Sequence, residues 1–168
     1  MRKPLIRWLP FIVCLTLIVF FSSQDASKQD LSGPVSRRPA LVRAVRSLPH
    51  VSFRYSKETY DNRKNPVQFI IFCLRKGAHA VIYAALGLSF GYAIQPWGLT
   101  PWRRWLLSTL VVVCTGALDE LNQTTVPGRT GLPLDVMIDL CGFAAASVIQ
   151  VAFAGYLGTR RERHPAKG

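Results

Sequence analysis

The chain has 168 residues, 49% of them hydrophobic, and a formal charge of +12. That length fits one small domain, and the apolar residues come in blocks without strand or helix period, which points to membrane spans over a soluble core. The basic balance does not signal nucleic acid, because Lys and Arg gather between the apolar blocks, as beside anionic lipid, and no zinc, RNP or helix-turn-helix pattern is present.

Met1 to Arg7 is a basic start, and Trp8 to Phe21 is almost wholly apolar. A cleaved signal peptide begins the same way. The exit, Phe20-Phe21-Ser22-Ser23-Gln24-Asp25, has no small-x-small cleavage site, so a retained first span over 5–21 is the better reading. Residues 22–65 form the long polar segment, broken by Pro34, Pro39 and Pro49, and are expected as an extracytoplasmic loop. Within it Leu41, Val42, Val45 and Leu48 fall at helical spacing with Arg43 and Arg46 opposite. That pattern predicts a short amphipathic helix on the membrane surface, a mobile loop being the alternative.

Asn65-Pro66 predicts a helix start, an Asn cap followed by proline at the first helical position. The second span is placed at 67–95. A helix from Pro66 to Gln95 is about 45 Å long against a bilayer core of about 30 Å, so its first turns protrude or its Arg75-Lys76 pair lies inside the protein. Ala80, Ala84, Gly87 and Gly91 offer a small face for a neighbouring helix. Gln95 to Arg104 is a short turn with Trp97, Trp102 and a basic pair. A third span (105–123), a turn around Pro127-Gly128-Arg129, and a fourth span (134–157) with Gly142 and Ala146 as a small face follow. Residues 158–168 form a basic tail. The expected fold is an all-α membrane domain over 5–157, a four-transmembrane-helix bundle of up-down topology. Arg2, Lys3 and Arg7 before the first span place the N- and C-termini in the cytoplasm. The cysteines Cys14, Cys73, Cys114 and Cys141 lie one per span without a CxxC pair, and read as small buried hydrophobes.

In such a bundle the end of span one, the start of span two, the end of span three and the start of span four share one side. Those places hold Ser22-Ser23-Gln24; Arg75, Lys76 and His79; Asp119, Glu120 and Gln123; and Asp135 and Asp139, with Arg129 in the last turn. Each charge at bilayer depth costs about 2.5–3.5 kcal/mol or more, so a cluster there has a purpose. Arg75, His79 and Tyr83 are four apart and share a helix face, as do Asp119 and Gln123, and Asp135 and Asp139. His79, Asp119 and Glu120 are the residues suited to acid–base chemistry. Arg75, Lys76, Gln123, Arg129, Asp135 and Asp139 suit the binding of a phosphate or carboxylate group and its neighbours. Ion pairs that fix helix register are the structural alternative, although buried pairs stabilise less than apolar packing does. A metal set of His79, Asp119, Glu120 and Asp135 lacks HExxH-type spacing, so neither a metal nor another cofactor is expected.

Phe21-Ser22-Ser23-Gln24, Arg75-Lys76-xx-His79-xxx-Tyr83, Asp119-Glu120-xx-Gln123, Pro127-Gly128-Arg129 and Asp135-xxx-Asp139-xx-Gly142 together resemble the VanZ-like family. These are small bacterial membrane proteins named for a member linked to teicoplanin resistance. The resemblance covers roughly Trp8 to Leu157, with the motifs in the family's order. One position departs: the family usually has Asn where this chain has Asp139, so no ligand role carries over there. The resemblance implies four spans, a multi-pass place in the bacterial cell membrane and a role in glycopeptide sensitivity.

Two functions fit. One is a membrane enzyme or binder acting on a lipid-linked or cell-envelope anionic substrate at the outer leaflet, with membrane lipids as its surroundings. The other is a non-enzymatic membrane protein whose charged cluster is a helix lock or a partner-binding site. A proton-coupled transporter fits less well, because the polar residues stop at one leaflet.

Overall fold

The computed structural model describes residues 4–163, so Arg2 and Lys3 of the basic start and residues 164–168 of the basic tail lie outside the described residues. A 3-10 turn, Pro4–Trp8, leads into α1 (Leu9–Ser22). A folded segment follows, with α2 (Ser32–Ser36), α3 (Pro39–Ser47) and a hairpin of β1 (Ser52–Tyr55) and β2 (Glu58–Asp61). Three long helices complete the chain: α4 (Pro66–Ala93), α5 (Pro101–Thr124) and α6 (Pro133–Arg163). Four segments are long and apolar enough to cross a membrane: Leu5–Ser22, Pro66–Trp97, Pro101–Thr124 and Pro133–Ala154. Residues 158–163 of the predicted tail continue α6.

The bundle is apolar on the outside and mixed within. Ile12, Phe20, Val81, Leu118, Val148 and Phe153 are all exposed, whereas Asp119, Glu120, Asp135 and Asp139 are buried. That inverted distribution suits hydrocarbon surroundings, where apolar side chains gain nothing by hiding and charged ones lose much by facing lipid. Helix α4 touches each of α1, α5 and α6, most extensively α6. At their crossing the backbones nearly meet, since a Cβ added to Gly142 would lie 2.7 Å from the Ala80 Cα. Likewise Gly87 leaves room for Phe143 and Val112, which pack with Cys14, Ile18, Tyr83 and Leu86 in the core. The small faces expected on these two helices therefore do what small faces do: they let backbones approach.

The polar segment departs from expectation. It is neither a mobile loop nor wholly helical, and its two-stranded hairpin is a feature that an all-α reading omits. Helix α3 forms as predicted, but Val42 and Val45 pack toward Val35, Ile70 and Ile71, so part of its apolar face is spent on α4. Leu41 and Leu48 stay exposed. Phe53 and Tyr60, paired and stacked across the hairpin, pack against Phe72 of α4, Phe53 edge-on and Tyr60 tilted. The first turns of α4 are thus covered by the polar segment, which accounts for a helix longer than a bilayer core. Asn65 precedes α4 as expected, yet its side chain makes no cap hydrogen bond. The polar anchoring sits just upstream. Asp61 accepts from the backbone N–H groups of Arg63 and Lys64, both at 2.8 Å, and lies 3.0 Å from His50 Nε2. These bonds hold its carboxyl well below the usual carboxylate range, the His50 contact first among them. Asn62, fully buried, accepts from Val51 N–H at 2.9 Å and donates to Val45 O at 3.1 Å and Pro49 O at 3.0 Å. One amide thereby joins the end of α3, the start of β1 and the entry to α4.

Candidate functional site: a buried acid cluster beneath an arginine pair

The inward stripe of α4 is Lys76, His79 and Tyr83, at the i, i+3, i+7 spacing of one helix face. Arg75 does not belong to it. Its side chain is exposed and donates to the backbone carbonyl of Gln29 at 3.1 Å. The expectation that Arg75, His79 and Tyr83 form one working face is corrected accordingly: one residue's rotation moves Arg75 off the bundle interior, and Lys76 takes the inward place.

Lys76 Nζ lies 2.5 Å from Asp135 Oδ1, and Tyr55 of the hairpin donates its hydroxyl to the same oxygen. Burial, followed by that bond to Asp135, holds the Tyr55 hydroxyl well above its ordinary range, so it remains a donor at any physiological pH. The ammonium also lies 4.9 Å from the centre of the Tyr55 ring, a cation–π contact. Asp135 is therefore satisfied from two elements.

Deeper in the bundle, His79 Nδ1 stands 3.3 Å from Asp139 Oδ1. Tyr83 donates to Asp119 Oδ2 at 3.1 Å, and Gln123 Nε2 donates to the same oxygen at 3.2 Å. Glu120 Oε2 accepts from the backbone N–H of Leu132, in the turn before α6, at 2.6 Å. His79, Asp119 and Glu120 each bring a ligand-type atom within 4.8 Å of the others. Of the four residues that could have formed a metal set, Asp135 is drawn away to Lys76 and Tyr55, and the other three come together. The four acids are 0–7% exposed, whereas the side chains of Lys76 and His79 are 19% and 27% exposed.

Above the cluster, Arg129 donates to Gln29 Oε1, the residue whose carbonyl takes Arg75. Gly128, at φ +73°, supplies the left-handed turn that sets Arg129 back toward the bundle. Gln29 is held in turn by its own Nε2, donating to Phe21 O at 2.8 Å and Gln24 Oε1 at 3.3 Å. Among the described residues neither arginine forms an ion pair with a carboxylate. Of the three basic side chains expected to offset the buried acids, Lys76 alone is in ion-pair contact among the described residues, and Arg129 acts on Asp119 and Glu120 at longer range. Nearby, Asn122 donates to Ser22 Oγ at 2.9 Å and ties the ends of α5 and α1 together.

Sequence reading had no signal for Gln29 or Tyr55. Both lie in the polar segment, and only the folded hairpin and turn bring them to the long helices. A groove of about 270 Å³ lined by Val42, Arg46, Lys64 and Gln68 lies on the α3–α4 flank, away from the acids.

No curated protein and no solved structure matches the chain significantly. A family model described as VanZ/LLP1 matches residues 8–154. That match runs from the first span to the end of the fourth and takes in both the acid cluster and the arginine pair, and the chain belongs to the VanZ/LLP1 family.

Proposed function

We propose that this membrane protein binds an anionic headgroup, lipid-linked or of the cell envelope, through Arg75 and Arg129 at the outer leaflet. The observation that carries this reading is the convergence of two guanidinium groups on one neutral residue, Gln29, with no carboxylate in ion-pair contact among the described residues. Two adjacent guanidiniums repel one another, and a phosphate or carboxylate accepted in forked fashion would relieve that repulsion. His79 beside Asp139, with Asp119 and Glu120 next to it, supplies groups able to take and return a proton below the bound headgroup. A site of this kind in a cell-envelope membrane fits an effect on glycopeptide sensitivity.

Lys76, Asp135 and Tyr55 favour a second reading for their own part of the cluster. They are mutually satisfied and bind hairpin, α4 and α6 together, which is the behaviour of a helix lock. The two readings divide the cluster: a lock at Lys76 and a working site around His79.

The test is glycopeptide susceptibility of a bacterial host expressing the protein. Wild type is expected to shift the inhibitory concentration of teicoplanin, and Arg75→Gln with Arg129→Gln, or His79→Ala alone, to abolish the shift at unchanged membrane levels. A shift retained by both variants would leave the lock as the whole explanation.

A further inference from the structure

Asp119 and Glu120 share an unusual arrangement. Each carboxylate is positioned through one oxygen: Asp119 Oδ2 by Tyr83 and Gln123, Glu120 Oε2 by the Leu132 amide. The other oxygen of each, Asp119 Oδ1 and Glu120 Oε1, is buried and has no hydrogen-bond partner, and the same holds for both Asp139 oxygens and His79 Nδ1 beside them. Asp119 and Glu120 are only 7% and 5% exposed. An unpartnered carboxylate oxygen at such depth is costly, and two on neighbouring residues repel. A purely structural cluster would have closed them with donors, as it has closed Asp135. His79, at the same place, offers a ring nitrogen within 4.8 Å of both carboxylates.

We propose that His79, Asp119 and Glu120 bind a divalent first-row transition-metal ion, with Asp139 as the group that orients the imidazole. The donor set decides the class. One imidazole nitrogen with two carboxylate oxygens and no thiolate suits Zn²⁺ or Mn²⁺, whereas Ca²⁺ and Mg²⁺ prefer oxygen alone. Ligands at about 2.1 Å around a tetrahedral ion stand about 3.4 Å apart, so atoms that lie within 4.8 Å of one another close by at most about 1.4 Å, within the reach of side-chain torsions. Two carboxylates neutralise the ion's charge. Three protein ligands leave a coordination position open, the pattern of a working site and not of a closed structural one.

Asp139 has the place of the outer carboxylate that ligating histidines commonly face. It is fully buried, and its Oδ1 stands 3.3 Å from His79 Nδ1. The backbone has made space for it, since a Cβ on Gly116 would lie 3.3 Å from Asp139 Oδ2. The inference goes beyond the anion-binding reading and does not depend on it, because Arg75 and Arg129 contribute no ligand; with the ion bound, ligation replaces the proton-transfer role of His79, Asp119 and Glu120.

Tag-free protein in zwitterionic nanodiscs, loaded with Zn²⁺ or Mn²⁺ and desalted, tests it by elemental analysis and titration calorimetry. Wild type is expected to retain about one equivalent per chain and to lose it to a chelator with a drop in melting temperature. Asp119→Asn and Glu120→Gln, which keep shape and remove charge, are each expected to weaken binding by about tenfold or more, as is Asp139→Ala through the imidazole. Glu58→Gln, an exposed hairpin acid outside the cluster, is expected to bind as wild type does. Arg75→Gln with Arg129→Gln is also expected to keep the metal, which separates this inference from the anion-binding reading. Wild type retaining no metal, or Asp119→Asn and Glu120→Gln retaining it unchanged, overturns the proposal.

Discussion

Lys76 on α4 and Asp135 on α6 meet at 2.5 Å, and Tyr55 closes the same carboxylate from the hairpin. An ion pair this buried stabilises little against apolar packing, but losing one partner strands the other. Lys76→Met alone, or Asp135→Leu alone, is expected to destabilise the folded protein by about 3 kcal/mol or more. The double variant, which removes both charges, is expected to recover most of that loss. Thermal unfolding in detergent across the four-variant cycle checks this, and additive losses would show that the two residues do not act as a pair.

The Gly142–Ala80 crossing sets the distance between α4 and α6, and therefore the reach of His79 to Asp139 one turn away. Gly142→Val is expected to cost roughly 1–3 kcal/mol by forcing the backbones apart. Gly33, with open space around its Cβ position, serves as the control: Gly33→Ala should leave the bundle unchanged. Equal melting temperatures for Gly142→Val and wild type would mean that the close approach is not maintained.

Much of the bundle was legible because its causes are local. Blocks of apolar residues longer than a bilayer needs, Pro at helix starts and small residues at four-residue spacing each announce themselves in sequence, and α4, α5 and α6 appear where those signals lie. The grouping of polar residues followed from up-down order alone. Pairing within the group did not. Whether Arg75 or Lys76 turns inward depends on the rotation of α4, which packing sets and no spacing rule distinguishes. Val42 and Val45 advertise an apolar face without saying whether lipid or protein will cover it. Tyr55 and Gln29 carry no signal at all, since each acts only through a fold of the polar segment.

One amide ties the ends of that segment together. Asn62→Ala would strand three backbone groups that it now satisfies, those of Val45, Pro49 and Val51. With unsatisfied buried groups costing about 1–3 kcal/mol, the hairpin is expected to detach from α4 before the bundle melts. Hydrogen exchange should show fast exchange confined to residues 48–64. Uniform protection there would remove Asn62 from its role as anchor.

Asp61 predicts the acid response of the same region. Its folded carboxyl is held below the unfolded value of about 3.9, so it contributes stability above that pH and loses it as pH falls through the folded value. The carboxyl carbon resonance of Asp61 is therefore expected to titrate well below pH 3.9, with the hairpin attached throughout mild acid. His50→Ala should move that titration upward, toward the unperturbed value. A midpoint near 3.9 in the wild type would contradict the hydrogen bonding described for the α4 entry.

Direct binding measures whether Arg75 and Arg129 take an anionic headgroup. Farnesyl diphosphate, a water-soluble lipid-linked phosphate, would be titrated into the protein in zwitterionic nanodiscs and followed by calorimetry. Wild type is expected to bind saturably, and Arg75→Gln with Arg129→Gln about tenfold or more weakly, a loss of at least about 1.4 kcal/mol at unchanged melting temperature. Absence of saturable binding by wild type, or equal binding by the double variant, would show that the two guanidinium groups hold no anionic headgroup.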